Sequence, residues 1–241
     1  MYIHELRLAT DQLDGLRDFY GRVLGLAVLA TPGDQLELAA GATRLSFRAA
    51  EGGTRPFYHF AFNIPPGCFA EAKDWIGARV PLIANRLGEH AFYADDWDAH
   101  NVYFYDPAGN IVELIARHTL AAPDQRPFSA KGLLCISEIG VVADDVAAVV
   151  RQVQAELGSA PYRDPGSDTF AAVGDEHGLL IIVRQGRVWF PDTGKAAVVA
   201  PFEAVVSEQR DGPRSLVAGP PLAFRQLTPG LTAARSTPAP C

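Results

Sequence analysis

Long apolar runs, basic clusters and paired cysteines are scarce in this sequence. No apolar stretch approaches the roughly 18 residues that a membrane-spanning helix needs. The amino terminus lacks a basic segment followed by an apolar one. Lysine and arginine form no cluster, and 21 basic against 28 acidic residues leave a net charge of −7. We therefore predict no membrane span and no nucleic-acid partner.

Cysteine usage and composition point to a reducing compartment. Cys68, Cys135 and Cys241 are odd in number, widely spaced and in no C-x-x-C pair. Such usage predicts a chain without disulfides. With 241 residues, 48% hydrophobic and 20% charged, the chain has the composition of an ordinary globular protein of one or two domains. We expect a cytoplasmic protein.

A β-α-β-β-β order recurs along the chain. The first copy covers residues 2–48 and the second covers residues 57–116. A third copy begins near residue 134. Gly158 follows Ser137 by 21 positions, the same separation as that between His4 and Gly25. Repetition at this scale predicts an architecture of repeated βαβββ modules.

The hairpin over residues 102–115 carries a carboxylate between two apolar faces. Its turn, from Asp106 to Gly109, joins strands rich in aromatic and β-branched residues. Glu113 lies in the second strand, and a buried carboxylate must be paired, protonated or bound to a metal. An ion pair with Arg44 or Arg48 is the alternative to a metal.

Two histidines occupy matching places in the repeat. His4 lies in the first strand of copy one, and His59 lies in the first strand of copy two. Each alone could be a hydrogen-bonded core residue. If the two copies face each other, both imidazoles and Glu113 converge into a facial triad with up to three open coordination positions. The third copy has Ser137 and Ile182 at the corresponding positions and supplies no ligand.

In combination these motifs resemble the vicinal oxygen chelate superfamily, which includes glyoxalase I, extradiol dioxygenases, fosfomycin-resistance enzymes and bleomycin-binding proteins. The resemblance covers residues 2–117, and residues 134–208 more faintly. It is carried by His4-x-Leu6-x-Leu8, Phe19-Tyr20 with Leu24-Gly25, His59-Phe60-Ala61-Phe62 and the run from Tyr103 to Glu113. It implies an α+β, glyoxalase/dioxygenase-like fold in which paired βαβββ modules form a cupped mixed sheet. It also implies one divalent metal ion held by His4, His59 and Glu113.

The residues around the triad favour one branch of that family. Glyoxalase I uses a fourth ligand where this chain has Leu45 or Ser46, and fosfomycin enzymes carry Thr where this chain has Leu6. The stretch from Val102 to Glu113 resembles the extradiol dioxygenases. That resemblance favours Fe(II), with Mn(II), Co(II) or Zn(II) as alternatives.

The same resemblance implies two catalytic side chains. Tyr103 would hydrogen-bond a substrate oxygen, and a nearby histidine, for which His100 is the candidate, would move protons. The leading expectation is a ring-cleaving, extradiol-type dioxygenase acting on a small molecule with vicinal oxygens, such as an aromatic diol. A glyoxalase-like isomerase or lyase, a fosfomycin-type thiol transferase and a non-catalytic binding protein of the same fold are the alternatives.

These inferences divide the chain into four parts. We expect a two-module metal-binding domain over residues 1–118, a linker over 119–133, a degenerate third module over 134–208 and a disordered Pro-rich tail over 209–241. Val188–Phe190 and Phe202–Ser207 read as extra strands. Because the third module has no partner copy, we also expect a homodimer.

Overall fold

Two seven-stranded sheets make up the molecule. The computed structural model describes residues 1–29, 34–208, 214–218 and 222–226. The first sheet has the strand order β14-β13-β12-β1-β4-β3-β2, and the second has the order β10-β11-β9-β5-β8-β7-β6. Among the described residues, no helix has both the length and the apolar character needed to cross a membrane.

The elements follow the predicted repeat closely. The strands are β1 Tyr2–Thr10, β2 Ala27–Leu29, β3 Gln35–Ala40, β4 Thr43–Ala49, β5 His59–Asn63, β6 Phe92–Ala94, β7 Ala99–Tyr105, β8 Ile111–Arg117, β9 Cys135–Ala143, β10 Phe170–Asp175, β11 Gly178–Arg184, β12 Phe202–Ser207, β13 Arg214–Ala218 and β14 Ala223–Gln226. The helices are α1 Leu13–Leu16, which continues as a π-helix over Arg17–Val23, α2 Phe69–Gly77 and α3 Val146–Leu157. The predicted α+β class with repeated modules and a cupped mixed sheet is confirmed.

The limits of α3 show how local sequence sets an element. The Asp145 side chain accepts a hydrogen bond from the Ala148 amide, which caps the first turn. Gly158 ends the helix with φ of 75°, a conformation that glycine adopts without strain. The buried positions Val146, Val150 and Val153 recur at helical spacing, so one face of α3 packs on the core.

The modules pair differently from the prediction. Strand β5 of module two pairs antiparallel with β9 of module three, so these two modules share the second sheet. Strand β1 of module one pairs antiparallel with β12, and the first sheet is completed by β13 and β14. The expected sheet made of modules one and two is therefore wrong, because the repeat identifies copies but not which first strands pair.

Three smaller expectations also need correction. Val188–Phe190 is not a strand but belongs to the connection between β11 and β12. The tail contains β13 and β14, while residues 209–213, 219–221 and 227–241 lie outside the described residues. Cys68 is a buried free thiol, but Cys135 is disulfide-bonded, so the predicted absence of disulfides is wrong at Cys135.

The main hydrophobic core draws side chains from both sheets and from the helices. A second, smaller cluster lies on the opposite face of the second sheet. We call this the inner face. Its apolar members include Ile83, Tyr103, Tyr162 and Trp189. Polar side chains interrupt this apolar surface along β5, β8 and β9, and they form the candidate site.

Candidate metal centre

Strand register brings three potential metal ligands together on the inner face. Ala61 of β5 lies opposite Glu113 of β8 and also opposite Glu138 of β9. His59 precedes Ala61 by two residues and therefore points to the same face. All three side chains are buried, and their ligand atoms lie within 4.8 Å of one another. The small side chain of Ala61 leaves them room to meet.

The tautomer of His59 is fixed by its main-chain contact. Nδ1 lies 3.1 Å from the carbonyl oxygen of Ile111, which can only accept, so Nδ1 is the protonated nitrogen. Nε2 then faces the carboxylates, at 3.5 Å from Glu113 Oε2 and 3.6 Å from Glu138 Oε2. A ring oriented by a carbonyl in this way is typical of histidine metal ligands.

Glu138 is held by a buried arginine. The Arg117 guanidinium, which is fully buried, forms an ion pair with the Glu138 carboxylate. It also donates to Asn63 Oδ1 at 3.2 Å. Burial raises the pKa of Glu138, but Arg117 and then His59 outweigh burial and hold that pKa below its usual range. Glu138 therefore stays ionised.

Glu113 has weaker compensation than Glu138. Asn101 Nδ2 donates a hydrogen bond to Glu113 Oε1. Burial, followed by the charge of Glu138, raises the pKa of Glu113 to about 7 against the opposing effects of His59, Asn101 and Arg117. Burial lowers the pKa of His59, but the hydrogen bond to Glu138 and the charges of both glutamates leave that pKa raised. Two carboxylates thus share one buried arginine and one histidine, and they carry more negative charge than Arg117 alone balances.

The donor set fits a divalent cation. One imidazole nitrogen and two carboxylates are the ligand types that Fe(II), Mn(II), Co(II) and Zn(II) accept. The buried Asn101 Oδ1 has no hydrogen-bond partner within the described residues. That orphan acceptor beside Glu113 marks a place where a water molecule or a bound oxygen ligand would complete the network.

Tyr103, the predicted catalytic tyrosine, lies beside the buried carboxylates on the inner face. It pairs in register with Glu113, and its ring centroid is 6.4 Å from that of His59. Burial, then the charges of Glu113 and Glu138, raise the pKa of Tyr103 well above its ordinary value. The phenol therefore keeps its proton at neutral pH and can donate a hydrogen bond.

His4 is not part of this centre, which corrects the predicted triad. It lies on β1 in the first sheet, and its Nε2 is 2.7 Å from Ser207 Oγ. The correction follows from the sheet order, because β1 pairs with β12 and β4 rather than with β5. Glu138 takes the third place instead. The third module, expected to carry no ligand, contributes one.

His100 also lies away from the centre. It points to the other face of β7, where its ring centroid is 4.9 Å from that of Phe69 in α2. Its Nδ1 is 2.7 Å from Nε2 of His118. The proposed role of His100 in proton transfer is therefore wrong, since the sheet itself separates it from Glu113.

The sequence held a signal for Glu138 that the repeat alignment obscured. The strand Cys135-Ile136-Ser137-Glu138-Ile139-Gly140-Val141 carries a carboxylate among apolar residues, the same feature that singled out Glu113. Strict alternation with Ser137 on the inner face placed Glu138 on the opposite face, but the register of β9 leaves Ser137 as an extra, unpaired residue between Ile136 and Glu138. Register irregularities at the matching points of β1 and β9 make such a shift easy to miss.

The first sheet has the same three-strand arrangement with different residues. By register, Arg7 of β1 corresponds to Ala61, and it lies opposite Ser46 of β4 and Glu203 of β12. The first sheet therefore has different residues at the three equivalent positions: Glu5 for His59, Ser46 for Glu113 and Glu203 for Glu138. Arg7 forms ion pairs with both glutamates, at 3.4 Å from Glu203 Oε2. In the first sheet, Arg7 therefore supplies a positive charge to both glutamates.

Aromatic side chains enclose the centre from the β11–β12 connection. The Trp189 ring centroid is 5.1 Å from that of His59, and the Phe190 ring contacts Tyr103 edge-on at 5.5 Å. Trp189 is buried, whereas Phe190 is half exposed. The connection forms an aromatic wall over the inner face.

Comparison with solved structures identifies the fold. A candidate dioxygenase from Bacillus subtilis superposes with a TM-score of 0.54 at 16% identity, over 76% of this chain and 63% of that chain. The chain has a glyoxalase/dioxygenase-like fold. The chain spans about 63% of the length of the Bacillus subtilis protein.

Two other solved structures match with lower TM-scores. A glyoxalase I variant from Zea mays matches over 76% of this chain and 66% of its own, at 14% identity and a TM-score of 0.48. A lactoylglutathione lyase from Agrobacterium tumefaciens matches over 47% of this chain and 91% of its own, at 28% identity and a TM-score of 0.36. No protein-family model and no curated protein matches the sequence.

Proposed function

We propose that the chain is a metal-dependent enzyme in which His59, Glu113 and Glu138 hold one divalent metal ion. The buried meeting of one imidazole and two carboxylates on three adjacent strands carries this proposal. Its substrate is a small molecule with vicinal oxygens, and an extradiol-type, ring-cleaving dioxygenase is the favoured activity. Fe(II) is the favoured metal, with Mn(II), Co(II) and Zn(II) as alternatives.

Each residue of the centre has a distinct task in this proposal. The bound metal would supply Lewis acidity and open coordination positions for substrate oxygens. His59 is oriented by Ile111 through its protonated Nδ1. Arg117 keeps Glu138 ionised and in place. Tyr103, which stays protonated, donates a hydrogen bond to a substrate oxygen.

Metal binding is the first test. Protein stripped of metal and titrated calorimetrically with Zn(II) should bind one ion per chain. His59→Ala, Glu113→Gln and Glu138→Gln should each weaken this binding about 100-fold or more, because each removes a ligand. His4→Ala is the matched control and should bind as the wild type does. Retention of stoichiometric binding in Glu138→Gln with loss in His4→Ala would contradict the assignment.

Oxygen dependence tests the reaction class. Fe(II)-loaded protein should convert a catechol to a ring-opened, coloured product in air and not under argon. A glyoxalase-like isomerase or lyase, or a thiol transferase, would need no O₂ and would be unaffected by its removal. A non-catalytic binding protein of the same fold is the remaining alternative. In that case, removal of the metal would leave the affinity for the ligand unchanged.

Location and assembly stay predictions from the sequence. The prediction of a cytoplasmic location rests on cysteine usage without disulfides, and the disulfide at Cys135 weakens that basis. The homodimer was inferred from an unpaired third module, yet module three pairs with module two in the same chain. Light scattering at micromolar concentration tests the dimer.

A further inference from the structure

A cavity of about 350 Å³ opens beside the candidate metal centre. It lies where β5 begins and β9 ends, between α3 and residues 198–202. Its walls are mainly apolar and include Phe57, Val142, Val149, Val198 and Phe202. A volume of this size suits a small organic molecule.

The cavity meets the centre at two residues. These are His59, which is one of the proposed metal ligands, and Trp189, which belongs to the aromatic wall. Gly140 lines it between them, and a Cβ on Gly140 would lie only 2.7 Å from Trp189 Cη2. The absence of a side chain at Gly140 lets the indole approach β9 closely. A ligand in the cavity therefore contacts one proposed metal ligand, His59, and the indole of Trp189 that packs against it.

The charge of the cavity has one sign. No lysine or arginine lines it among the described residues, whereas Asp144 and Asp145 do. Asp145 caps α3 and accepts from the Ala148 amide at 2.8 Å. Asp144 is exposed at the rim. Acidic groups without basic partners repel an anionic ligand and attract a cationic one.

We infer that the substrate of this centre has an apolar body whose outer end is neutral or cationic, and that this body lies in the cavity beside α3. The inference rests on the proposed function, since the vicinal oxygens would reach the metal side of His59. It disfavours substrates with anionic bodies, such as phosphonates and glutathione conjugates. It favours an uncharged or amine-bearing diol.

Three catechols that differ only at the outer end of a two-carbon substituent test the charge rule. They are 4-ethylcatechol, dopamine and dihydroxyphenylacetate, titrated into Zn(II)-loaded protein, in which no turnover occurs. The neutral and cationic compounds should bind at least about tenfold more tightly than the anion. Asp144→Lys should reduce or reverse the preference for dopamine. Equal affinity of all three compounds would overturn the inference.

Two tryptophan substitutions on α3 test the location. Ala148 lines the cavity, whereas Ala147 is exposed and does not. Ala148→Trp should weaken 4-ethylcatechol binding at least about tenfold, and Ala147→Trp should leave it unchanged. Equal binding by both variants would place the ligand elsewhere.

The two proposals can fail separately. If Zn(II) does not bind to the wild type, the metal centre fails, and 4-ethylcatechol binding to metal-free Ala148→Trp and Ala147→Trp proteins still tests the cavity. If Zn(II) binds but the catechols show neither charge preference nor sensitivity to Ala148→Trp, the cavity assignment alone is overturned.

Discussion

At the scale of single residues, Arg117 decides whether the candidate centre can exist in a folded chain. Its guanidinium is fully buried and is the charged group that compensates Glu138 directly. A buried carboxylate without such a partner is strongly destabilising. The centre is therefore built from its three ligands together with the cation that supports one of them.

Arg117→Met should lower the free energy of unfolding by about 3–5 kcal/mol, because it leaves the buried Glu138 carboxylate unpaired. Urea denaturation of the metal-free protein measures the change. The control is Arg22→Met, which removes an exposed ion pair with Asp18 and should cost no more than about 0.5 kcal/mol. Similar losses in both variants would show that the buried pair has no special role.

The residue scale also shows where reading the sequence succeeds. Glu113 and His59 stand out because polar ligand types interrupt apolar strands, and the structure places both in one cluster. His4 carries the same local signal, but which strands are neighbours is a long-range property that no local pattern contains. A one-residue shift in β9 then hid Glu138. Residue type was readable from the sequence, whereas the pairing of strands was not.

At the scale of elements, the β7–β8 turn fixes the strand that presents Glu113. Asp106 Oδ1 accepts from the amides of Ala108 and Asn110, both at 3.0 Å. Its Oδ2 accepts from Asn110 Nδ2 at 2.7 Å and from the Tyr20 hydroxyl at 2.9 Å. The turn is thereby tied both to itself and to the π-helix of module one.

This turn should make stability depend on pH. Burial raises the pKa of Asp106 to about 6, although hydrogen bonds from Asn110 and Tyr20 act to lower it. A carboxyl whose pKa rises on folding stabilises the protein below the unfolded-state pKa of about 4. That stabilisation is lost as the pH rises to about 6, and a further rise in pH does not change the contribution of Asp106 to stability.

Tyr20→Phe should therefore cost more at pH 7, where the hydrogen bond to Asp106 is charge-assisted, than at pH 5. We expect losses of about 1.5–3 and about 1 kcal/mol, respectively. Urea denaturation at the two pH values gives the comparison. Tyr58→Phe removes a hydroxyl that contacts Pro201 O and the Ala9 amide but no carboxylate, so its cost should not vary with pH. A pH-independent cost for Tyr20→Phe would contradict the assignment.

Element limits were predictable where the signals are local. The sequence predicts that α3 starts after Asp144 or Asp145 and ends at Gly158, and in the structure Asp145 and Gly158 cap it. Strand β12 covers the predicted range. Val188–Phe190 has the residue types of a strand, but Trp189 instead packs on His59. Tertiary packing there overrides β propensity.

At the scale of the whole molecule, the fold distributes its modules over two sheets. Module three is completed by module two, and module one is completed by β12, β13 and β14. Within the described residues this last group contains strands and no helix, so it does not follow the β-α-β-β-β order by which the copies were recognised. The shared hydrophobic core then joins both sheets into one unit.

The ion pairs of Arg7 in the first sheet have a consequence for the metal-free protein. A guanidinium is part of the polypeptide, so a chelator can empty the second sheet but cannot remove the positive charge between Glu5 and Glu203. We expect EDTA to speed amide deuterium uptake in β5, β8 and β9 and to leave β1, β4 and β12 unchanged, as read by mass spectrometry. Equal acceleration in both sets of strands would contradict this. The first sheet would thus contain its counter-ion within the polypeptide, whereas the second sheet would have to bind one from solution.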